Sequence, residues 1–369
     1  METLNQSKVK MWRRCQKQFA FRYDYAPEGQ ELVPLKKKLP LYRGSWMHAL
    51  QEALHYQWAG FDDFVITFGE GKNRLEIEAT TWQDVQEALT EQFDQLFDEE
   101  KEELDNLPTD TERLFKSYLR FWNEDQETYT VAEYNGKPMI EFQIEAPLPG
   151  LDSLFKGRID LVVEDNEYGG FWLWDAKWVK SIPAPEERMM SPQSILYLWV
   201  LREVLELDVR GFVYNYGRTK PPALPQVLKR PAGMLSTRRK MDTDFYTYLQ
   251  AIKDNHGKDW KHYVPYYREK LSELRGREAL WFRRERIPIE DKAINQALKE
   301  FVVSGQQVNL RDVPSMAPRS YFYNCKFGCD YHELCVAEFQ GLNIKPLIKH
   351  NYQYTPERYA DKLEDLLSA

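Results

Sequence analysis

The chain has 369 residues, is 43% hydrophobic and 14% aromatic, and carries 58 acidic against 50 basic residues for a net charge of −8. That is enough apolar material for a large buried core, while the charge excludes a hold on nucleic acid that comes from overall positive potential; local basic grooves are still allowed. No run of about eighteen apolar residues occurs and the opening METLNQSKVKMWRRC lacks an apolar h-region, so neither a membrane span nor a secretory signal is expected and the chain reads as cytoplasmic.

Residues 7–25 read as a helix with Val9, Trp12, Phe19 and Tyr23 on one face and Cys15 inside the run. Residues 44–58, GSWMHALQEALHYQW, read as a second helix on which His48, Glu52 and His55 share a face. These helices make up an N-terminal segment, 1–60. The segment 61–135 reads as an acidic helical insertion, with DEEKEELDN as an exposed bend. Within 136–216, MIEFQIEA alternates as a strand, followed by GRIDLVVED, a DNEYGG turn and FWLWDAKW. A helix then opens at Ser191 and Pro192 and runs through QSILYLWVLREVLEL, and GFVYNYG returns as a strand. The region 217–320 begins with KPPALPQVLKRP, too proline-rich for regular structure, and goes back to helix over 243–303. Residues 321–340 hold three cysteines and 341–369 form a C-terminal tail, all within a single domain.

Cys15 stands alone near the start, while Cys325, Cys329 and Cys335 follow some three hundred residues later. Four thiolates suit tetrahedral zinc or a [4Fe-4S] cluster, and four cysteines are too few for a disulfide scaffold of this length. Either metal would tie the two ends of the domain together. Basic clusters occur at Arg13, Arg14 and Lys17; Lys36, Lys37 and Lys38; Arg238, Arg239 and Lys240; and Arg283, Arg284 and Arg286. Each reads as a solvated surface or a phosphate contact. The aromatic stretch around Tyr263, Tyr266, Tyr267, Trp281 and Arg283 reads either as helix packing or as a base-stacking surface.

A hairpin centred near Glu167 and Tyr168 sets Asp160 directly across from Asp175, where Cβ atoms of opposed residues lie about 5 Å apart. Two carboxylates at that spacing repel unless one is protonated or a cation sits between them. Lys177 projects from the same face, and Trp172, Trp174 and Ala176 from the other. Asp160, Asp175 and the Ala176 carbonyl would then hold Mg²⁺ or Mn²⁺, with Lys177 orienting the attacking water. A solvated face with an Asp–Lys pair is the alternative on spacing alone, and a one-residue slip would turn one acid away. Gln193 and Tyr197 lie four apart near the start of the next helix, where the helix dipole favours phosphate.

GSWMHALQE, GRIDLVV, WDAKW and QSILY, in that order, resemble the successive motifs of the RecB-like branch of the PD-(D/E)XK nucleases. The resemblance implies an α/β restriction-endonuclease-like core, with a mixed central sheet flanked by helices and helical insertions. It implies His48, Asp160 and Asp175 as metal ligands, Lys177 as the catalytic lysine, and Gln193 and Tyr197 as residues that position DNA or the lysine. Glu141, on the preceding strand, is a further candidate. SKVKMWRRCQKQFAFRYDY resembles the opening of the family's iron-sulfur subgroup, which includes AddB-type helicase-nucleases, CRISPR adaptation nucleases and phage-encoded exonucleases. In that subgroup one early and three late cysteines hold a structural [4Fe-4S] cluster, which assigns Cys15, Cys325, Cys329 and Cys335. The triplet here is C-x3-C-x5-C where the commoner spacing is C-x2-C-x5-C, with Gly328 placed to absorb the extra residue.

The function so implied is that of a Mg²⁺- or Mn²⁺-dependent DNA exonuclease acting on single strands or duplex ends, in a bacterial or phage-infected cell, in recombination or repair. The alternatives are a non-catalytic nucleic-acid-binding or assembly factor on the same fold, and a structure-specific endonuclease. No GxxxxGK[ST] motif is present, so a motor would have to come from a separate helicase or recombinase partner, and an oligomer is compatible with the sequence.

Overall fold

The computed structural model describes residues 2–35, 39–69, 74–184, 187, 190–311, 313–322 and 325–357. Lys36, Lys37 and Lys38 lie outside the described residues, as does the end of the C-terminal tail from 358.

Seven of the described strands form one mixed sheet. In chain order they are β1 (Glu2–Leu4), β2 (Tyr129–Val131), β3 (Ile140–Pro147), β4 (Ser153–Asp165), β5 (Phe171–Val179), β6 (Val209–Arg218) and β7 (Phe282–Pro288). The long β4 is the axis. It pairs antiparallel with β2 and β3 along one edge, and with β1 in parallel and β5 antiparallel along the other. Parallel β6 and then antiparallel β7 extend the sheet beyond β5.

Helices cover both faces: α1 (Gln6–Arg14), α2 (Leu39–Trp58), α3 (Trp82–Asp94), α4 (Leu107–Phe121), α5 (Pro192–Trp199), α6 (Phe245–His256), α7 (Asp291–Asn309) and α8 (His332–Phe339). Their starts follow local capping chemistry. Asn5 accepts the Lys8 N–H at 2.8 Å ahead of α1, and Thr81 and Asp84 form a reciprocal capping box ahead of α3. On one side of the sheet, Phe155, Val162, Leu173 and Phe212 meet apolar residues of α1, α5 and α7. On the other, Leu161, Val163, Trp172, Trp174 and Val213 pack with Tyr56 and Trp58 of α2, beyond which α2, α3 and α4 share their own core. The layers are therefore helix, sheet and helix, the arrangement that buries both sheet faces.

Four expectations change. The proline-rich 220–231, read as irregular, holds a short strand, Val227–Lys229, paired antiparallel with Ala232–Leu235, and the helix read over 7–25 breaks at Cys15, whose backbone is extended. The segment 61–135, read as helical, contains an antiparallel hairpin of Phe64–Phe68 with Leu75–Ala79, whose Phe64, Ile66, Ile77 and Ala79 turn inward. The helical reading of 243–303 is interrupted by β7. That strand hides its alternation because its inward position 284 is an arginine, held between Trp122 and Trp174 at 3.9 and 4.2 Å from the ring centroids and bonded to Asp125 at 2.9 Å.

An early and a late segment of the chain meet. Gln30–Pro34 pairs antiparallel with Tyr352–Pro356, and Phe21, Leu32, Tyr331, Leu334 and Tyr352 form a small separate core. Another separate core gathers Leu235, Tyr248, Ile252, Tyr267, Leu271 and Leu274, in the segment between β6 and β7. No helix among the described residues is long and apolar enough to cross a membrane.

Candidate active site

The DNEYGG segment folds β4 back into β5. Asp165 Oδ1 accepts the N–H groups of Glu167 and Tyr168 at 3.1 and 2.9 Å, while Gly169 and Gly170 take positive φ values of 70° and 77°. The register pairs Leu173 with Val162 and Trp174 with Leu161, so Asp175 is next in line with Asp160. Backbone pairing stops there. Instead, Asp160 Oδ2 accepts the Ala176 N–H at 2.9 Å, taking the donor that a ladder carbonyl would otherwise hold.

The stop coincides with a bend in β4. Ile159 and Val162 face one core while Leu161 and Val163 face the other, which strict alternation forbids; the pairs Ile140–Leu161 and Phe142–Ile159 keep one register, so β3 and β4 kink together at Glu141 and Asp160 without an inserted residue. Glu141 lies opposite on β3, between the pairs Ile140–Leu161 and Phe142–Ile159, and has φ of 46°, a left-handed backbone unusual for a non-glycine residue. Alternation from Val162, which pairs with Leu173, leaves Asp160 on the face shared by Leu173, Asp175 and Lys177.

Lys177 Nζ lies 2.7 Å from Asp175 Oδ1, with Lys177 32% and Asp175 6% exposed. Ser194 on α5 donates to Asp175 Oδ2 at 3.2 Å and shares a hydrogen bond of 3.0 Å with Tyr214 on β6. Burial pushes the Asp175 carboxyl above the usual range; the Lys177 ammonium pulls it down and the Asp160 charge pushes it up again. Burial works against the Lys177 charge, but the facing Asp175 and Asp160 overcome it and raise its pKa, so the side chain stays an ammonium. The group is one positive charge against two negative ones.

Further carboxylates stand nearby. Glu52 on α2 is pushed well above the usual carboxylate range, first by burial and then by the charges of Glu141 and Asp160, with Arg158 opposing. Arg158 Nε is 2.7 Å from Glu141 Oε2. Helix α2 thus meets the acids through Glu52. His48, the candidate ligand, lies one turn earlier and half-buried on the same helix, where its charge acts on His55. Gln193 Nε2 donates to Tyr197 Oη at 3.0 Å, so these two bond to each other, and it is Ser194 between them that reaches Asp175. Ser194 and Arg158 were legible only as neighbours of motif residues; nothing in their spacing marks them.

Among the described residues, no three His, Cys, Asp or Glu side chains are arranged to close on a metal ion. The expected ligand set of His48, Asp160, Asp175 and the Ala176 carbonyl is therefore not assembled. The reason is visible: the Asp175 oxygens turn to Lys177 and Ser194, and an Asp160 oxygen turns to the Ala176 N–H. The donor chemistry still fits a hard divalent cation, since opposed carboxylates on one face need more positive charge than a single ammonium provides.

Apart from this acid cluster, Cys15, Cys325, Cys329 and Cys335 all line one cavity of about 130 Å³. Cys15 sits in the extended break that ends α1, and Cys335 lies on α8. The N–H of Ser320 points to Cys15 Sγ and that of Phe322 to Cys325 Sγ, each at 3.5 Å. Burial pushes up the Cys329 thiol, and Cys15 and Cys325 raise it further. Phe21, Tyr321, Phe322, Val336 and Phe339 line the same cavity, and among the described residues no three of the cysteines close on a metal ion.

The family model described as the PD-(D/E)XK nuclease superfamily matches residues 3–336, a span that takes in Asp160, Asp175, Lys177 and all four cysteines. Among curated proteins none matches the chain. With an acid pair and a lysine at the splayed ends of a hairpin in a mixed sheet, and a match across nearly its whole length, the chain belongs to the PD-(D/E)XK nuclease superfamily.

Proposed function

We propose that the protein is a divalent-metal-dependent DNA exonuclease of the RecB-like, iron-sulfur kind, hydrolysing phosphodiester bonds at DNA ends or in single strands. The observation that carries this is the opposition of Asp160 and Asp175 at the point where β4 and β5 part, with Lys177 Nζ 2.7 Å from Asp175. Asp160 and Asp175 would hold Mg²⁺ or Mn²⁺, with His48, Glu52 and the Ala176 carbonyl on hand, and the cation would supply Lewis acidity and a nucleophilic water.

The chain's own residues do the rest. Ser194 and Tyr214 fix the Asp175 carboxylate, so its oxygens are placed before substrate arrives. Lys177 moves from balancing two carboxylates to donating a hydrogen bond to a non-bridging oxygen of the scissile phosphate. Its raised pKa keeps that donor protonated. Arg158 holds Glu141 and offsets the negative charge around Glu52. Gln193 and Tyr197, bonded to each other on α5, offer a polar edge toward the DNA backbone.

Cys15, Cys325, Cys329 and Cys335 would hold a [4Fe-4S] cluster, supported by their shared cavity. Such a group joins the N-terminal helix to the C-terminal segment, a structural role.

The test is digestion of linear single strands labelled at either end, alongside circular single strands, with Mg²⁺ or Mn²⁺. Linear DNA shortened from one end, circles spared, and a Lys177→Ala protein slower by about 10²–10³-fold are expected. Binding without products would favour the non-catalytic alternative, and cut circles the endonuclease.

A further inference from the structure

The segment 218–277 carries 14 Lys and Arg against 6 Asp and Glu, a net of +8 inside a chain whose total is −8. Most of the protein is thus strongly acidic and this one stretch strongly basic. It is also a distinct structural piece, packed around its own core of Leu235, Tyr248, Ile252, Tyr267, Leu271 and Leu274.

Its attachment lies at the rim of the active site. Lys177 pairs with Tyr216 across β5 and β6, and two residues later Arg218 pairs with Val179, after which the chain leaves the sheet. Thr219 N–H bonds Val179 O at 2.9 Å, and Arg218 holds Asp242 at 3.2 Å.

The outer surface carries one exposed ring, Tyr266, backed by the half-buried His256 and Tyr263. His256 and Tyr263 stack face to face at 3.7 Å with planes 6° apart, Tyr266 follows at 6.2 Å from Tyr263, and Tyr266 is 73% exposed. His256 is pinned by Tyr267 Oη at 3.0 Å, and that phenol accepts the Leu235 N–H at 2.9 Å, so the stack is fixed to the core. Beside it, the exposed Arg238, Arg239 and Lys240 have no ion-pair partner among the described residues, and their loop is tied to the ring-bearing segment by Lys270 Nζ on Arg238 O at 2.8 Å.

We propose that this basic module is a docking platform for single-stranded DNA, holding the strand by its phosphates and unpaired bases as it enters or leaves the active site. The exposed Tyr266 ring can stack on bases released from a duplex, not on the stacked bases inside one, and every base has such a face, so the surface favours single strands without reading sequence. The loop cations supply the phosphate contacts that the acidic remainder cannot. The inference rests on the nuclease reading for its purpose, but binding can be measured apart from cleavage.

The experiment is fluorescence anisotropy of a labelled oligo-dT with the full-length protein in chelator, at several salt concentrations. Arg238→Glu/Arg239→Glu/Lys240→Glu should lower affinity more than tenfold and flatten the log-log salt slope by about 2, at about 0.7 for each phosphate no longer neutralised. Tyr266→Ala should weaken binding by about five- to a hundredfold with the slope unchanged. A closed circular duplex, which has no open base face, should ignore Tyr266→Ala. Because all four side chains are exposed, melting temperatures should match the parent. If the parent digests DNA while these variants bind oligo-dT like the parent, the platform is wrong and the nuclease reading stands. If the variants lose binding and the parent digests nothing, the platform stands and the nuclease reading falls.

Discussion

The ring of Tyr197 lies directly on the backbone of Gly157: a Cβ at position 157 would come within 2.4 Å of Tyr197 Cε1. Gly157 opens the GRID segment that ends in Asp160, and Tyr197 closes the QSILY segment on α5. The absent side chain is what lets α5 settle close enough for Ser194 to reach Asp175. Gly157→Ala should therefore cost about 1–3 kcal/mol by overpacking and should also slow DNA cleavage. Urea unfolding with a parallel rate measurement checks both; an unchanged midpoint would remove the close approach as the reason for the glycine.

Ser194→Ala should leave the fold intact but release one oxygen of Asp175. The loss of one hydrogen bond to a charged group, about 1.5 kcal/mol, corresponds to roughly a tenfold lower cleavage rate. Tyr214→Phe should have a smaller effect in the same direction, because its hydrogen bond reaches Asp175 through Ser194. Single-turnover rates compare the two; equal effects would show that the chain of bonds is not ordered as described.

His55 is buried among Trp58, Trp174 and Arg284, and its imidazole is pushed down to about 3, first by burial and then by the charges of Arg284 and His48. The folded state holds it neutral, whereas the unfolded chain protonates it below about 6.5. Its contribution to stability is thus full above pH 6.5 and is lost as pH falls toward 3, by up to about 1.4 kcal/mol per pH unit. Denaturation of the parent and of His55→Gln at pH 7.5, 5.5 and 4.5 isolates this. The parent should lose stability more steeply, and parallel curves would contradict the buried neutral imidazole.

If the four cysteines hold the proposed cluster, Cys15→Ser should abolish its visible colour in anaerobically purified protein and lower the melting temperature by several degrees. The serine change by itself alters one atom at a buried helix break, so a large thermal effect would come from losing the link between the chain ends. A colourless parent that contains zinc would correct the metal assignment while leaving the four-cysteine site in place.

How much of this was legible in the sequence follows from periodicity. The hairpin register could be read because DNEYGG is a strong turn signal and FWLWDAKW alternates cleanly, so a slip would have exposed Trp172 and Trp174. The joint kink of β3 and β4 at Glu141 and Asp160 could not, since it depends on which core each side chain meets rather than on residue type. β7 escaped for a related reason: FRRERIP places Arg284 and Arg286 inward, where they pair with Asp125 and Asp165, and buried ion pairs leave no apolar pattern. Glu52, marked in the sequence only as a helical partner of His48, sits nearer the acids because α2 crosses the sheet at that turn. The hairpin within 61–135 was masked by the acids of its outer face, Glu76 and Glu78.

The opposed aspartates are tested most directly by calorimetric titration of Mn²⁺ into the metal-free protein and into Asp160→Asn and Asp175→Asn. The account predicts saturable binding by the parent and at least a tenfold loss in each variant, with thermal stability of the variants equal to or above the parent because a charge repulsion is removed. Mn²⁺ binding of the same strength in all three proteins would contradict it.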